Sequence, residues 1–219
     1  MRKIFRYFYS MKRMVFYEYP IRDIPIEVDS PSDLQYKELT NNEYGQLEEL
    51  LKVQNKTETV FQPIFNLADA IERIKSGEHC FICKKDNMII GYVWYATEKK
   101  YILEINATIH LKKTWIYGYN AYVRQEFRGK NIADYLFLKS VKVLEKKGYT
   151  RMIVFRMNWN KSVERAMMKV GFSPIGYVKV GYLFTFRYLI NRCKRLLLMD
   201  ESNPFEFHQK FYLKLKNLR

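Results

Sequence analysis

The sequence is poor in cysteine. Cys80, Cys83 and Cys193 are the only three in 219 residues, which makes a poor disulfide framework. Cys80 and Cys83 form a C-x-x-C pair, but it lies in the apolar, strand-like run HCFICKK and has no second cysteine pair to complete a zinc site. We therefore expect buried core thiols and no bound metal.

The sequence also lacks a long apolar run. No stretch approaches the roughly 20 apolar residues of a membrane span, so we expect no integral membrane contact. The first twenty residues are basic and apolar, yet Arg6, Lys12 and Arg13 interrupt them, which argues against a secretory signal. A strand packed on the body is favoured here over contact with a membrane surface, and a cytoplasmic protein is expected.

The sequence has few acidic residues compared with basic ones. Asp and Glu number 23 against 38 Lys and Arg, for a formal net charge of +15. Such a surplus implies an anionic partner, namely nucleic acid, an anionic membrane surface or a small ligand rich in phosphates. The 18 Tyr and 15 Phe are numerous enough to line grooves as well as fill a core.

The patterning predicts an α/β (α+β) domain with a mixed, mostly antiparallel central sheet flanked by helices. We expect an N-terminal basic and aromatic extension over 1–32, the domain over 33–190, and a basic, helical extension over 191–219. Strands are predicted at DLQYKELT, HCFICKK, MIIGYVWYAT, YILEINATIH, WIYGYNAYV, TRMIVFRM and IGYVKVGYLFTFRYL. Helices are predicted at NEYGQLEELLKVQN, NLADAIERIKSG, the run from Gly129 to Gly148, and 161–170.

A basic turn, QEFRGKNIA (Gln125–Ala133), separates the strand WIYGYNAYV from the following helix. The first N–H groups of a helix are unpaired and carry the positive end of its dipole. Gly129 allows a ligand to approach, and Arg128 and Lys130 add charge, so the turn predicts a phosphate or pyrophosphate site. It is neither a Walker A loop nor a G-x-G-x-x-G fingerprint, and by itself a plain charged helix start explains it equally well.

The turn resembles the acyl-CoA pyrophosphate loop of the GNAT N-acyltransferase superfamily, whose pattern is [Q/R]-x-x-G-x-[G/A]. Arg128, Asn131 and Ala133 fall on that pattern, with Asn131 in place of the first glycine. Asparagine tolerates unusual backbone angles, so the loop is expected to survive. Downstream, NKSVERAMMKVGF (Asn160–Phe172) resembles the superfamily's N-x-x-A…LGF segment. The resemblance covers about residues 34–186.

The resemblance implies direct attack of a primary amine on the thioester of an acyl-CoA, the donor substrate. It also implies a bulged, splayed strand before the loop, which offers backbone N–H groups to the carbonyl and the pantetheine arm. The residues expected to bind CoA are Ala121, Tyr122, Val123, Arg128, Gly129, Lys130, Asn131, Ile132, Ala133 and Asn160. Two departures stand out: Met167 occupies the place of the thiol-protonating tyrosine, and WIYGYNAYV has no glutamate.

A replacement base is sought in YILEINATIH, which alternates cleanly. If it pairs as a hairpin with WIYGYNAYV, Glu104 lies near Asn120, and Asn106 lies near Gly118. Glu104 then becomes the candidate base, with Asn120 and Tyr119 completing the candidate catalytic set. The favoured alternative is an ordinary half-solvated sheet face, and a one-residue change of register removes the pairing.

The expected acceptor is a nucleotide-linked amino sugar of the kind used for surface polysaccharides. The charge exceeds what one CoA needs, aromatics crowd the presumed cleft, and the extended ends resemble sugar N-acyltransferases of this superfamily. A protein or peptide amine is the alternative acceptor. A non-catalytic nucleic-acid-binding module and a peripheral membrane protein are the rival classes, but neither explains the paired motifs, so no nucleic-acid partner is expected. Acyl length is left open, as is the choice between monomer and homodimer.

Overall fold

The computed structural model describes residues 9–22, 33–57, 65–105, 107–183, 186–191, 205–207 and 213–214. The chain divides into two compact units with interleaved segments. The first unit comprises Pro20–Thr97 and Lys113–Thr150, and the second comprises Met1–Tyr19, Glu98–Lys112 and Arg151–Arg219.

The described residues form twelve strands and four α-helices. The strands are β1 (Tyr9–Pro20), β2 (Leu34–Glu38), β3 (His79–Lys85), β4 (Met88–Ala96), β5 (Lys99–Ile102), β6 (Ala107–His110), β7 (Trp115–Val123), β8 (Arg151–Met157), β9 (Ser173–Leu183), β10 (Phe186–Asn191), β11 (Phe205–Phe207) and β12 (Leu213–Lys214). The helices are α1 (Tyr44–Thr57), α2 (Leu67–Lys75), α3 (Ile132–Lys146) and α4 (Lys161–Lys169), and short 3-10 turns cover Asn41–Glu43 and Gln125–Phe127.

The first unit is an antiparallel sheet, in the order β7-β4-β3-β2, with helices on both faces. Asp86 and Asn87 join β3 to β4 with φ of 47° and 62°, the backbone of a tight two-residue hairpin turn. Cys80, Tyr92 and Trp94 point to the face covered by α1 and α2. The alternating Tyr95 points to α3, where its hydroxyl lies 2.6 Å from Ser140 Oγ. The predicted mixed α/β fold, with a mostly antiparallel sheet flanked by helices, is confirmed.

Cys80 and Cys83 are buried free thiols, as predicted. Burial raises the pKa of both, that of Cys83 to about 11, so neither is a reactive thiolate. Cys193 lies outside the described residues.

The second unit contains the strand predicted near the N-terminus. β1 lies between β8 and β9 and pairs antiparallel with β9. Tyr17 on β1, Arg156 on β8 and Glu164 on α4 form one buried polar network: Arg156 Nε donates to Tyr17 Oη at 3.1 Å and its guanidinium contacts Glu164. The network fixes α4 against these two strands.

Two predictions about strands and helices are wrong. YILEINATIH is a hairpin of β5 and β6 rather than one strand, because the backbone turns at 103–105 and Ile105 N donates to Ile102 O at 3.3 Å. Its alternation breaks accordingly: Leu103 is 62% exposed, whereas Ile105 is fully buried. β6 pairs with β5 and β11, and β7 pairs with β4, so the predicted pairing of YILEINATIH with WIYGYNAYV does not form. Asn106 lies outside the described residues.

The C-terminal extension was predicted to be helical, but its described residues after Asn191 are strands. β11 pairs with β6, and β12 runs parallel to β10. In β11 two Phe flank Glu206, a two-residue alternation that suits a strand on a sheet edge. The other residues of this extension lie outside the described part of the chain. None of the helices that the structure describes is long and apolar enough to cross a membrane.

Gly91 on β4 is required by a close backbone approach. A Cβ at this position would lie 2.9 Å from Tyr122 O and 3.3 Å from Val123 Cγ2 on β7. We expect Gly91→Ala to lower the free energy of unfolding by about 1–3 kcal/mol, measured by urea denaturation, because β7 must move away. Gly45→Ala is the control, since its Cβ meets nothing within 4 Å in α1. This control should be neutral or stabilising by about 0.5–1 kcal/mol, and equal losses in both variants would contradict the packing argument.

The ion pairs of Glu38, at the end of β2, should make the stability of the fold sensitive to acid. Its carboxylate accepts hydrogen bonds from His79 and from Lys147 Nζ at 2.8 Å, and these partners lower its pKa from 4.5 to about 2. The lowered pKa stabilises the fold above pH 4.5, and this contribution is lost as the pH falls through about 2. Glu38→Gln should cost about 1 kcal/mol at pH 7 in urea denaturation, after allowance for solvent screening, and the difference from wild type should fall to a small fraction of that value at pH 2. A difference that persists unchanged at pH 2 would show that the ion pairs are not its source.

Candidate active site

The strand β7 carries a β-bulge just before the basic turn. Tyr122 pairs with Tyr92 and Tyr119 pairs with Trp94, so Asn120 and Ala121 together face the single residue Val93. Asn120 has φ of 52°, in the left-handed region, which accommodates the extra residue. A bulge bends the strand and releases a backbone group from the ladder. The bulged strand that the resemblance implied is therefore present.

The basic turn begins where the ladder between β4 and β7 ends. Arg124 N donates to Ile90 O at 2.8 Å, and one 3-10 turn then follows, with Phe127 N donating to Arg124 O at 2.9 Å. Gly129 has φ of 77°, although a Cβ there would meet nothing within 4 Å. The backbone conformation, rather than lack of space, thus explains why glycine suits this position.

Asn131 is the N-cap of α3 and adopts the left-handed conformation, with φ of 56° and ψ of 16°. This geometry accounts for the departure from the family pattern, because asparagine is among the few non-glycine residues that adopt it at modest cost. Its side chain makes no capping hydrogen bond. The loop therefore keeps a glycine-like backbone without a glycine.

The turn and the first helical turn present donors to solvent. Tyr135 N donates to Asn131 O at 3.0 Å, and this is where the helical hydrogen bonds begin. The N–H groups of residues 132–134 precede it and have no acceptor four residues back within the helix. Gly129, Lys130, Asn131 and Ala133 are exposed, whereas Ile132 is buried and anchors the helix start. A basic turn at a helix N-terminus is a suitable place for an anion to bind.

Two cations of the turn are held by its own residues. Arg128 Nε donates to Val123 O at 3.0 Å, and its guanidinium lies 5.6 Å from the centre of the Tyr122 ring. Lys130 Nζ lies 5.3 Å from the Phe127 ring centre. These contacts keep both charges beside the exposed N–H groups, where they raise the local affinity for phosphate.

Tyr119, next to the bulge, has a carboxylate partner that the sequence analysis missed. Its ring stacks on Tyr117 with centroids 5.9 Å apart, and its hydroxyl donates a hydrogen bond to Glu78. Burial, together with the negative charge of Glu78, raises the pKa of Tyr119, so the phenol stays protonated. No motif marks Glu78; its only local signal is a carboxylate between Gly77, which ends α2, and the buried strand β3.

Two predicted site residues belong to the second unit. Asn160 is the N-cap of α4, and its Oδ1 accepts from Val163 N at 3.3 Å and from Ser162 Oγ at 3.0 Å. Glu104 is half-buried in the turn between β5 and β6. Tyr119 and residues 120–133 thus lie together in the first unit. Glu104 and Asn160 belong to the second unit.

The comparison with protein families decides the identity of the chain. The model described as "Acetyltransferase (GNAT) family" matches residues 44–172, more than half of the sequence. The protein belongs to the GNAT acetyltransferase family. It is accordingly an acyl-CoA-dependent N-acyltransferase. Nothing among curated proteins matches this acetyltransferase.

Solved structures share the fold of this acetyltransferase at low sequence identity. A functionally unknown conserved protein from Staphylococcus epidermidis has a TM-score of 0.52 at 10% identity, over 82% of this chain and 64% of that one. The aminoglycoside acetyltransferase AAC(6')-Iy, in complex with a bisubstrate analogue, has a TM-score of 0.51 at 16% identity, and the match covers 65% of this chain and 92% of that one. An aminoglycoside acetyltransferase from an uncultured soil metagenomic sample, in complex with sisomicin, has a TM-score of 0.50 at 13% identity, and the match covers 64% of this chain and 88% of that one.

Within the described part of this acetyltransferase, no group of three or more His, Cys, Asp or Glu side chains is arranged to hold a metal ion. The residues available for chemistry at the bulge are the Tyr119–Glu78 pair and the backbone of β7.

Gly129→Glu should abolish CoA binding by this acetyltransferase. The new side chain places a negative charge and bulk in the donor array, and a non-glycine residue is strained at φ of 77°. Calorimetry should show at least a 100-fold weaker affinity for acetyl-CoA. The control is Lys146→Gln, which changes the net charge equally at the far end of α3. If Gly129→Glu binds as tightly as this control, the loop is not the pyrophosphate site.

Proposed function

We propose that this acetyltransferase moves an acyl group from acyl-CoA to the amine of a nucleotide-linked amino sugar by direct attack. The observation that carries the proposal is that a β-bulge at Asn120 and an exposed, basic helix start at Asn131 follow each other in one continuous stretch of the chain. The bulge offers backbone donors for a thioester, and the helix start offers backbone donors for a pyrophosphate.

The CoA pyrophosphate is placed on the N–H groups of residues 129–133. Arg128 and Lys130 add full positive charge at the same turn, and the helix dipole adds to it. The pantetheine arm is placed along Ala121, Tyr122 and Val123, where the bulge interrupts the ladder. Asn160 stays a candidate pantetheine residue on the family resemblance alone.

The proposed reaction needs little covalent help from the protein. The amine nitrogen attacks the thioester carbonyl carbon, the oxygen becomes negative, and the C–S bond then breaks to release the CoA thiolate. Backbone N–H groups at the bulge stabilise the oxyanion. Met167, on α4, has no proton to give, so the thiolate takes its proton from solvent. Holding the amine and thioester together removes much of the entropic barrier.

The Glu78–Tyr119 pair is proposed as the base. The Tyr119 hydroxyl takes the amine proton as it passes its own proton to Glu78, to which it is already hydrogen-bonded. Tyr119 immediately precedes Asn120 at the bulge and is hydrogen-bonded to Glu78, whereas Glu104 lies in the turn between β5 and β6. The strand pairing that would bring Glu104 to Asn120 does not form, so Glu78 is the proposed base.

The nucleotide-linked amino sugar is favoured as acceptor by charge and aromatic content. The surplus of +15 exceeds the charge of one CoA, which suggests a second phosphorylated ligand. Half-buried Tyr119, which stacks on the buried Tyr117, is the aromatic ring beside the bulge that a sugar or a base could contact. Cytoplasmic location, where acyl-CoA is held, belongs to the same proposal. A protein or peptide amine is the alternative acceptor.

Release of free thiol from acetyl-CoA tests the proposal directly. Nucleotide-linked amino sugars, short peptides and buffer alone are compared at equal concentration. The expected result is thiol release above the buffer rate with at least one nucleotide-linked amino sugar. Release only with peptides would replace the acceptor class. CoA binding without release from any amine would contradict the proposed transfer with an acetyl donor.

Glu78→Gln separates the two candidate bases when it is compared with Glu104→Gln. We expect Glu78→Gln to lower kcat by about 100-fold at pH 7 with little change in CoA affinity, and Glu104→Gln to stay within about threefold of wild type. The deficit of Glu78→Gln should narrow as pH rises, because the amine then arrives already deprotonated. A pH–rate profile for both variants is the measurement. Full activity of Glu78→Gln, or a large loss only in Glu104→Gln, would overturn the assignment.

A further inference from the structure

One cation in the first unit is packed among aromatic rings rather than against a carboxylate. Arg73, on α2, places its guanidinium carbon 3.9 Å from the ring centre of Phe65, 5.3 Å from that of Trp94 and 5.1 Å from that of Tyr119. No ion pair of Arg73 exists within the described ranges. We call Arg73, Phe65, Trp94 and Tyr119 the arginine cluster.

The arginine cluster contains two buried donors without an acceptor. Neither Arg73 Nη1 nor Trp94 Nε1 has a hydrogen-bond partner among the residues described, and both atoms are buried. An unmade hydrogen bond of a buried group costs about 1–3 kcal/mol, and more when the group is charged. Cation–π contacts offset part of that cost for the guanidinium, but they do nothing for the indole N–H. Unsatisfied buried groups of this kind are uncommon in native proteins, and a bound water, ion or ligand that supplies the acceptor is one explanation for them.

The cluster also adjoins the proposed chemistry. Tyr119 belongs to it, donates to Glu78, and immediately precedes the bulge at Asn120. A molecule whose amine is held by Tyr119 and Glu78 therefore has its neighbouring groups within reach of Arg73. Arg73 as a whole is half-buried and keeps part of its surface in solvent.

We propose that Arg73 and Trp94 bind an anionic oxygen group of the acceptor, so that the substrate is an amine that also carries a phosphate or a carboxylate. The inference rests on the proposed function and assigns residues to the anionic group of its acceptor. An arginine forms strong charge-assisted hydrogen bonds with either anion, and the indole N–H adds a neutral one. The same positive charge disfavours a polycationic amine such as an aminoglycoside, since like charge beside the amine site opposes its binding.

Matched acceptors test the selectivity. Thiol release from acetyl-CoA is measured with glucosamine, glucosamine 6-phosphate, muramic acid and neamine, which are respectively plain, phosphorylated, carboxylated and polycationic amines. At least a tenfold higher kcat/KM for one of the two anionic sugars over glucosamine is expected, and which one leads identifies the anion. Equal or higher values for glucosamine or neamine would overturn the inference while leaving the acyltransferase proposal intact.

Variants of the arginine cluster test which residues cause the preference for an anionic sugar. Arg73→Gln should raise KM for the preferred anionic sugar by about 10- to 100-fold, because a hydrogen-bonded charge is lost. The same variant should raise KM for glucosamine by less than threefold. Trp94→Phe keeps the ring and removes the N–H, so a smaller rise of about threefold to tenfold is expected. Lys75→Gln, which removes an exposed cation of the same helix, is the matched control and should leave both KM values unchanged. Equal effects of Arg73→Gln on both sugars would indicate a structural role and contradict the proposal.

A binding measurement keeps the inference falsifiable without turnover. The indole ¹H–¹⁵N signals of the three tryptophans are followed during titration with inorganic phosphate and with acetate, and Trp94→Phe identifies the signal of Trp94. The Trp94 signal should shift downfield and saturate with one of the anions, and Arg73→Gln should abolish the saturation. Absence of any shift at Trp94, or an identical titration of Arg73→Gln, would refute the site. Unaltered acetyl-CoA affinity of each variant in calorimetry confirms that it is folded.

Discussion

The unpaired N–H groups at the start of α3 are the constraint on which the rest of the site depends. A helix N-terminus exposes donors whatever its sequence, but it binds an anion only if the chain enters it without covering them. Gly129 and Asn131 both adopt positive φ at this entrance, so the chain turns away from the helix axis. Asn131, the N-cap, makes no side-chain capping hydrogen bond. Ile132 is buried and fixes the helix against the sheet.

The bulge in β7 depends in turn on how closely β4 and β7 approach. Gly91 allows the backbone of β7 to come near at Tyr122 and Val123, directly beyond the extra residue. The two faces of this sheet then have separate roles. The α3 face is held by contacts such as that of Tyr95 with Ser140, and the α1–α2 face carries Trp94, Tyr119 and Arg73. Scaffold and candidate acceptor site thus share the same strands on opposite sides.

Local signals in the sequence were sufficient for some elements. The basic turn at Gly129 predicts a helix start, and the run around Cys80 and Cys83 predicts a buried strand; both are present. Each of these depends on residues a few positions apart. The family resemblance added the bulge, which no local pattern in β7 reveals.

Contacts between residues far apart in the chain could not be predicted from the sequence. YILEINATIH alternates throughout, but alternation does not show that the chain reverses at 103–105, and the pairing offered for Glu104 failed for that reason. Glu78 and Tyr119 are 41 positions apart and meet only because β3, β4 and β7 align. Arg73 looks like a surface charge on an amphipathic helix until the sheet places Trp94 beneath it. Such partners follow from strand order, which composition and spacing do not determine.

The most direct test of the central claim is a backbone ¹H–¹⁵N spectrum of the uniformly labelled protein with and without acetyl-CoA. The account predicts that the largest amide shifts fall at residues 129–133 and at 121–123, because these N–H groups gain acceptors from the pyrophosphate and the thioester arm. Binding of acetyl-CoA with shifts confined to other residues, or no binding at all, would contradict it.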